Sequence, residues 1–251
     1  MLFRTVRLKT MDGPILALFV LSTFVGGIVS GLAGFAMGLV VSGVWLHILT
    51  PAQTAALIVG YGILVQSYSI WKLRHALSLA SLAPFVGGGV FGVPLGAALL
   101  GYIKPDFVRD GVGILLIAYS SYFLIRPHVH SVRPSLPADV TVGFVNGVLG
   151  GMTGLAGPII TIWCQLRGFR RDEQRAIFQP VILAAFVLTA ISLTANGTVT
   201  RDLMRVYLYG LPALGAGLWA GLRLYGHLNE QTFRKVILVL LMLSGVMLLF
   251  G

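Results

Sequence analysis

The stretch that decides the fold is GFVNGVLGGMTGLAGP, from Gly143 to Pro158. Six glycines interrupt a segment that is otherwise almost wholly apolar. Near the N-terminus, Gly27 to Gly38 reads GIVSGLAGFAMG, and its glycines at 27, 31, 34 and 38 match 143, 147, 150 and 154 at a constant offset of 116. A glycine-broken hydrophobic segment that occurs early in each half of a chain is the strongest sequence pointer to a transporter binding site.

Composition sets the environment for that pattern. Of 251 residues, 57% are hydrophobic and 10% charged, against about 25% charged in a soluble domain. Mean hydropathy is +0.90, and apolar runs of span length recur, so the chain reads as an integral membrane protein. The net charge of +10 would suggest nucleic acid on a soluble protein. Here the basic residues fall between apolar segments, where lipid headgroups and topology account for them. The single cysteine, Cys164, excludes an internal disulfide and a cysteine-based metal site. Arg4, Arg7 and Lys9 before an apolar run imitate a signal peptide, but the run from Ile15 to Leu49 far exceeds an h-region of about 7–15 residues.

Eight hydrophobic stretches emerge, near 15–49, 53–71, 77–103, 107–125, 140–166, 176–196, 203–225 and 233–250. Strand alternation is absent, and backbone in lipid must satisfy its own hydrogen bonds, so these are helices or helix pieces. The first stretch, at ~1.5 Å per residue, would be about 52 Å long against ~30 Å of hydrocarbon. It must tilt, protrude or break, and Gly31 and Gly34 are the obvious break. Arg126 to Asp139, with Pro127, Pro134 and Pro137, reads as a linker. Later correspondences extend the duplication: Pro84 to Gly89 answers Pro212 to Gly217, and Phe107-Val-Arg109 answers Phe233-Arg-Lys235. The expected organisation is an all-α polytopic membrane protein with a tail (1–13), a first repeat (14–125), a proline-rich linker (126–139) and a second repeat (140–251). Each repeat has four segments, the first of them broken or re-entrant.

Loop charges bear on topology. If all eight stretches span, Lys and Arg divide 9 against 9, whereas inner-membrane proteins carry a bias. Two re-entrant Gly-rich stretches give 11 against 7, and a re-entrant second stretch alone gives 14 against 4. Both improved counts require the second Gly-rich stretch to enter and leave on one side, and a hairpin plus three spans per half gives inverted repeats.

The glycine spacing puts Gly27, Gly31, Gly34 and Gly38 on one helical face, as it does Gly143, Gly147, Gly150 and Gly154. Close helix packing explains such a face; a broken helix whose free N–H groups meet an anion explains it as well. In the second copy Gly157-Pro158 adds helix breakers. The candidate substrate-binding residues are Gly31, Gly34, Gly38, Asn146, Gly150, Thr153, Gly154, Gly157, Gln179 and Arg175. Asn146 and Thr153 lie beside the glycines; Ser and Thr more often bond a helix carbonyl. Gln179 precedes Pro180 and serves equally as glue between helices. Arg175 either draws an anion inward or is a positive loop residue. Ser30, Ser42, Thr161, Gln53, Gln66, Gln165 and Gln174 are further polar residues in or beside apolar stretches.

All eight carboxylates fall in tails, loops or segment ends, which argues against a buried carboxylate relay. His47 sits near a segment end. Gly87-Gly-Gly89-Val-Phe-Gly92 fits G-x-G-x-x-G without the strand that motif requires, and reads as packing glycines. Gly27-Ile-Val-Ser30-Gly31 has the wrong spacing for a nucleophile elbow. No catalytic residues, metal ligands or cofactor are expected, and an intramembrane enzyme is the weakest reading.

The paired openings, the run from Gly147 to Pro158, Ile162-Trp-Cys-Gln-Leu-Arg-Gly168 and Gln174-Arg-Ala-Ile-Phe-Gln-Pro180 together resemble the sulfite exporter TauE/SafE family over nearly the whole chain. The resemblance implies a multi-pass inner-membrane transporter of small sulfur-containing anions such as sulfite or a sulfonate. The expected partners are that anion and the bilayer, without nucleic acid, and homo-oligomerisation is compatible with the pattern. The alternative is a glycine-packed structural or assembly subunit that moves nothing.

Overall fold

The computed structural model describes residues 13–73, 79–99, 105–125, 132–133, 135–195 and 197–250. Residues 1–12 of the expected tail, and 126–131 and 134 of the expected linker, lie outside the described residues. Among those described there are ten helices and no strand: α1 (Gly13–Ala33), α2 (Met37–Ile48), α3 (Pro51–Leu73), α4 (Leu79–Leu99), α5 (Pro105–Ile125), α6 (Leu136–Thr153), α7 (Pro158–Leu166), α8 (Arg171–Ala195), α9 (Arg201–His227) and α10 (Glu230–Phe250). Four stretches are long and apolar enough to cross a membrane: Gly13–Ala33, Ala52–Trp71, Ser81–Leu99 and Asp172–Ala195.

Ten helices replace eight stretches because both Gly-rich segments break. The first breaks at 34–36, after Gly34 turns left-handed at φ +89°. Gly31 stays helical, three residues short of the turn. The second breaks at 154–157, with Gly154 at φ +73°. Only glycine takes that conformation without strain, and a left-handed residue just past a helix is a common terminator. Each break reverses the chain. Phe19 stacks on Trp45 at 5.0 Å and a Cβ on Gly26 would meet Met37 and Val41, so α1 and α2 are antiparallel. Asp139 reaches Trp163 and Arg167 while Asn146 reaches Ala156 and Ile160, so α6 and α7 are too.

The glycine register of the sequence is corrected here. The offset of 116 pairs Gly34 with Gly150, whereas the left-handed glycines of the two breaks, Gly34 and Gly154, are 120 apart. Glycines recurring every three or four residues survive a one-turn slip, so the pattern alone could not choose.

Many of the other glycines line two seams. Along α4 and α6, a Cβ on Gly143 would stand 2.1 Å from Phe85 O, one on Gly92 2.2 Å from Phe144 O, and one on Gly151 2.3 Å from Val93 O. Along α1 and α9, a Cβ on Gly27 would stand 2.8 Å from Leu214 O and one on Gly221 2.1 Å from Ile28 O. Small residues let backbones approach where lipid offers helices no hydrophobic drive to associate. The glycines of the G-x-G-x-x-G match serve this packing, through Gly88, Gly89 and Gly92.

Contact partners fix relative direction. In the α1–α9 seam, Phe24 lies by Gly217 and Ile28 by Gly221; in the α4–α6 seam, Phe85 lies by Gly143 and Val93 by Gly151. Residue numbers rise together, so each pair is parallel. Gly62 meets Phe186 while Gln66 and Gln179 both reach Gly34, which makes α3 and α8 antiparallel. Gly113 meets Leu249, and Ser121 meets Met242, which makes α5 and α10 antiparallel. Phe19, Trp45, Tyr61 and Tyr207 form an aromatic column that ties α1, α2, α3 and α9 together.

Candidate functional site

The two hairpin tips meet in the interior. A Cβ on Gly157 would stand 2.9 Å from Phe35 Cβ, and one on Gly38 2.9 Å from Leu155 Cδ2. The antiparallel helices α3 and α8 flank the meeting point. Ala55 of α3 backs Gly154, its Cα 3.4 Å from a Cβ placed there, and Ile58 backs Gly38. Phe178 of α8 packs edge-on against Phe35, ring centroids 5.7 Å apart.

Three side chains define the first tip. Gln66, from α3, donates its amide N–H to Gly34 O at 2.8 Å. Gln179, from α8, is fully buried, and its Nε2 would stand 2.9 Å from a Cβ on Gly34. Neither amide atom of Gln179 has a hydrogen-bond partner, nor does Gln66 Oε1. Arg175, one turn before Gln179, is the one charged side chain buried among the described residues. Its Nη2 donates to Gly31 O at 2.9 Å and to Leu32 O, and its guanidinium lies 3.6 Å from the centroid of the Tyr225 ring. The last carbonyls of α1 have no helical partner, and a cation there is favoured by the helix dipole. Arg175 is therefore neither in a loop nor at the surface.

The second tip is braced from within. Asn146 Nδ2 donates to Ala156 O at 2.8 Å, and Asn146 Oδ1 accepts from Ile160 N at 3.3 Å. Thr153 Oγ1 donates to Leu149 O at 2.7 Å and accepts from Leu155 N at 3.1 Å. Gly150 lets Ala156 close over it, since a Cβ there would be 2.7 Å from Ala156 Cβ. The polar groups that stay unmatched are the Thr161 hydroxyl, one turn beyond Gly157, and the Thr54 hydroxyl beside Ala55; both residues are buried.

Helices α2 and α7 both begin at the tips. The N-cap residues, Ala36 and Gly157, provide no side-chain cap, so the first-turn N–H groups and the positive dipole ends face the junction. In α7, Asn146 satisfies Ile160 N–H and Pro158 has no N–H to offer. The end of α2 is the more open of the two.

Of the sequence candidates, the fold brings Gly34, Gly38, Gly154, Gly157 and Gln179 to the junction, with Arg175 just behind it. Asn146, Gly150 and Thr153 build the second tip, and Gly31 sits in the α1–α9 seam against Leu218 O. Gln66, Thr54, Phe35 and Phe178 also belong to the junction. An amide in the middle of the α3 span was the available signal for Gln66; nothing in the sequence marks the two phenylalanines, whose role is contact across the fold.

A profile of the sulfite exporter TauE/SafE family matches residues 18–248. The chain belongs to that family. Membership implies a membrane transporter of sulfite or a related anion, and the apolar spans agree with a lipid environment. No curated protein and no solved structure matches the chain.

Proposed function

We propose that the protein carries a small sulfur oxyanion across the inner membrane through the junction of the two hairpin tips. The carrying observation is the meeting of the two hairpin tips, where α2 and α7 begin, with a buried glutamine that has no partner beside the first of them. Free N–H groups and positive dipole ends attract an anion, and an unsatisfied amide in an apolar interior costs energy until something bonds to it.

In this reading, 14–125 and 140–251 are inverted repeats, each a re-entrant hairpin followed by three spans. Partner exchange supports it. The first helix of each half pairs, in parallel, with the third span-length helix of the other half, and α3 with α8 and α5 with α10 pair antiparallel. The charge count of 11 against 7 belongs to this topology. The anion is held by the first-turn N–H groups of α2 with Gln179 and the Thr161 hydroxyl. Phe35 and Phe178, packed edge to face at the junction, part as one half rocks against the other and opens the site to either side.

Sulfite flux into proteoliposomes tests this. Gly154→Val should stop flux, because a β-branched residue is strained at φ +73° in the tip, while the protein still elutes as a folded species. Normal flux by folded Gly154→Val protein would falsify the tip junction as the transport site, whereas no sulfite flux by the folded wild-type protein would favour a glycine-packed assembly subunit.

A further inference from the structure

The hydrogen-bond inventory at Gly34 says which protonation state of the anion the site accepts. Gln66 must use its N–H to reach Gly34 O at 2.8 Å, because a carbonyl accepts only from a donor. Its Oε1 is therefore the atom left over, a buried acceptor without a partner. Gln179 presents one more unmatched acceptor and one unmatched amino group at the same glycine. Whichever way the Gln179 amide is turned, the locus holds two empty acceptors and one empty donor group. A cation would satisfy the acceptors, yet the electrostatics oppose one. The positive end of α2 begins two residues beyond Gly34, and the Arg175 guanidinium is bonded to Gly31 O and Leu32 O on the same tip. A ligand that is negative overall and also brings an O–H meets both demands. A fully deprotonated oxyanion brings acceptors alone and would face Gln66 Oε1 and Gln179 Oε1 without a proton between them.

We propose that the site at Gly34 selects an oxyanion that still carries a proton, a hydrogen-bearing monoanion such as hydrogen sulfite, over the corresponding dianion. The O–H donates to Gln66 Oε1 or Gln179 Oε1, and the charged oxygens take the Gln179 amino group and the first-turn N–H groups of α2. The proton travels with the anion, so the protein moves one negative charge per sulfur without a carboxylate of its own. This rests on the transport reading above and deepens it.

The test is calorimetric titration of the full-length protein in nanodiscs with sulfite, methanesulfonate and sulfate at a series of pH values across the second ionisation of sulfurous acid. Methanesulfonate has the charge of hydrogen sulfite and no O–H; sulfate is the dianion. On total sulfite, the apparent Kd should rise about tenfold per pH unit once the dianion dominates. Methanesulfonate should bind at least ~tenfold more weakly than hydrogen sulfite, the cost of unpaired acceptors. The titratable groups around the locus are Arg175 and Asp172 on α8, Tyr225 and Tyr207 on α9, and Tyr61 on α3, with His47 at the far end of α2; Tyr225 bridges Arg175 and Asp172. Ionisation of any of these would change methanesulfonate binding with pH as well, so a flat methanesulfonate curve assigns the slope to the ligand. Gln179→Met removes one of the two acceptors and should narrow the preference for hydrogen sulfite over methanesulfonate by about threefold, the remainder resting on Gln66 Oε1.

A sulfite Kd that does not change with pH, or methanesulfonate binding as tightly as hydrogen sulfite, overturns this inference and leaves the transport reading standing. Binding of sodium chloride alone with no response to any oxyanion overturns both. The wild-type comparisons decide the matter even if Gln179→Met does not fold.

Discussion

The two hairpins reach the same turn by different means. The α6–α7 hairpin holds itself: Asn146 stitches both arms at the tip, Thr153 seals the last turn of α6, and Asp139 Oδ1 accepts from Trp163 Nε1 at 2.7 Å and from Arg167 Nη1 at 2.9 Å at the base. The α1–α2 hairpin has a base of stacked Phe19 and Trp45, with Trp45 Nε1 donating to Ser22 Oγ at 2.9 Å. Its tip is gripped from outside, by Gln66 of α3 on Gly34 O and by Arg175 of α8 on Gly31 O and Leu32 O. A tip that owns its hydrogen bonds can move as a rigid piece. A tip held by two other helices responds whenever those helices shift, which couples the α1–α2 hairpin to α3 and α8. The unmatched Gln179 amide belongs to this dependent α1–α2 tip.

Removing the internal stitch should have the largest effect on stability. Asn146→Ala leaves Ala156 O and Ile160 N–H buried without partners, a loss on the order of 3 kcal/mol, read as a lower midpoint in detergent-induced unfolding. A midpoint unchanged from wild type would show that the α6–α7 tip does not depend on Asn146. Alanine at the left-handed glycines of the two tips, Gly34 and Gly154, should separate the hairpins next. Gly154→Ala meets only backbone strain of about 1–2 kcal/mol, because its nearest neighbour is 3.4 Å from the new Cβ. Gly34→Ala adds a collision with the Phe178 ring at 2.9 Å, and should cost ~1 kcal/mol more. Equal losses at the two sites would mean that the first tip is looser than its contacts imply. The smallest effect is expected at the base. Asp139→Asn keeps the acceptor for Trp163 and weakens the pair with Arg167, for about 1 kcal/mol or less, with sulfite flux retained. Loss of flux there would make the base of the α6–α7 hairpin part of the transport cycle.

Much of this was legible in the residues. Hydropathy gave the helical membrane class, and the 35-residue run from Ile15 to Leu49 announced a break. Gly157-Pro158 marked the second tip because those two residues cannot continue a helix from before them. What stayed hidden depends on long-range contact. Gly31 and Gly34 look alike in sequence, yet one packs against Leu218 O and the other turns left-handed. Asn146 beside the glycines reads as a ligand donor until Ala156 O and Ile160 N fold back onto it. Arg175 looks like a loop charge because its partners, Gly31 O and Leu32 O, lie more than 140 residues away.

The meeting of the two tips is tested most directly by joining them. In a Cys164→Ala background, Phe35→Cys with Gly157→Cys places two thiols where Phe35 Cβ and a Cβ on Gly157 are 2.9 Å apart, so the tips need part by only about 0.6–1 Å to reach the Cβ separation of about 3.5–4.5 Å in a disulfide. Mild oxidation should link the hairpins within one chain, stop sulfite flux in proteoliposomes, and release it again on reduction. Full flux through the linked protein, or no link under conditions that oxidise exposed thiols, would contradict a transport path between the tips.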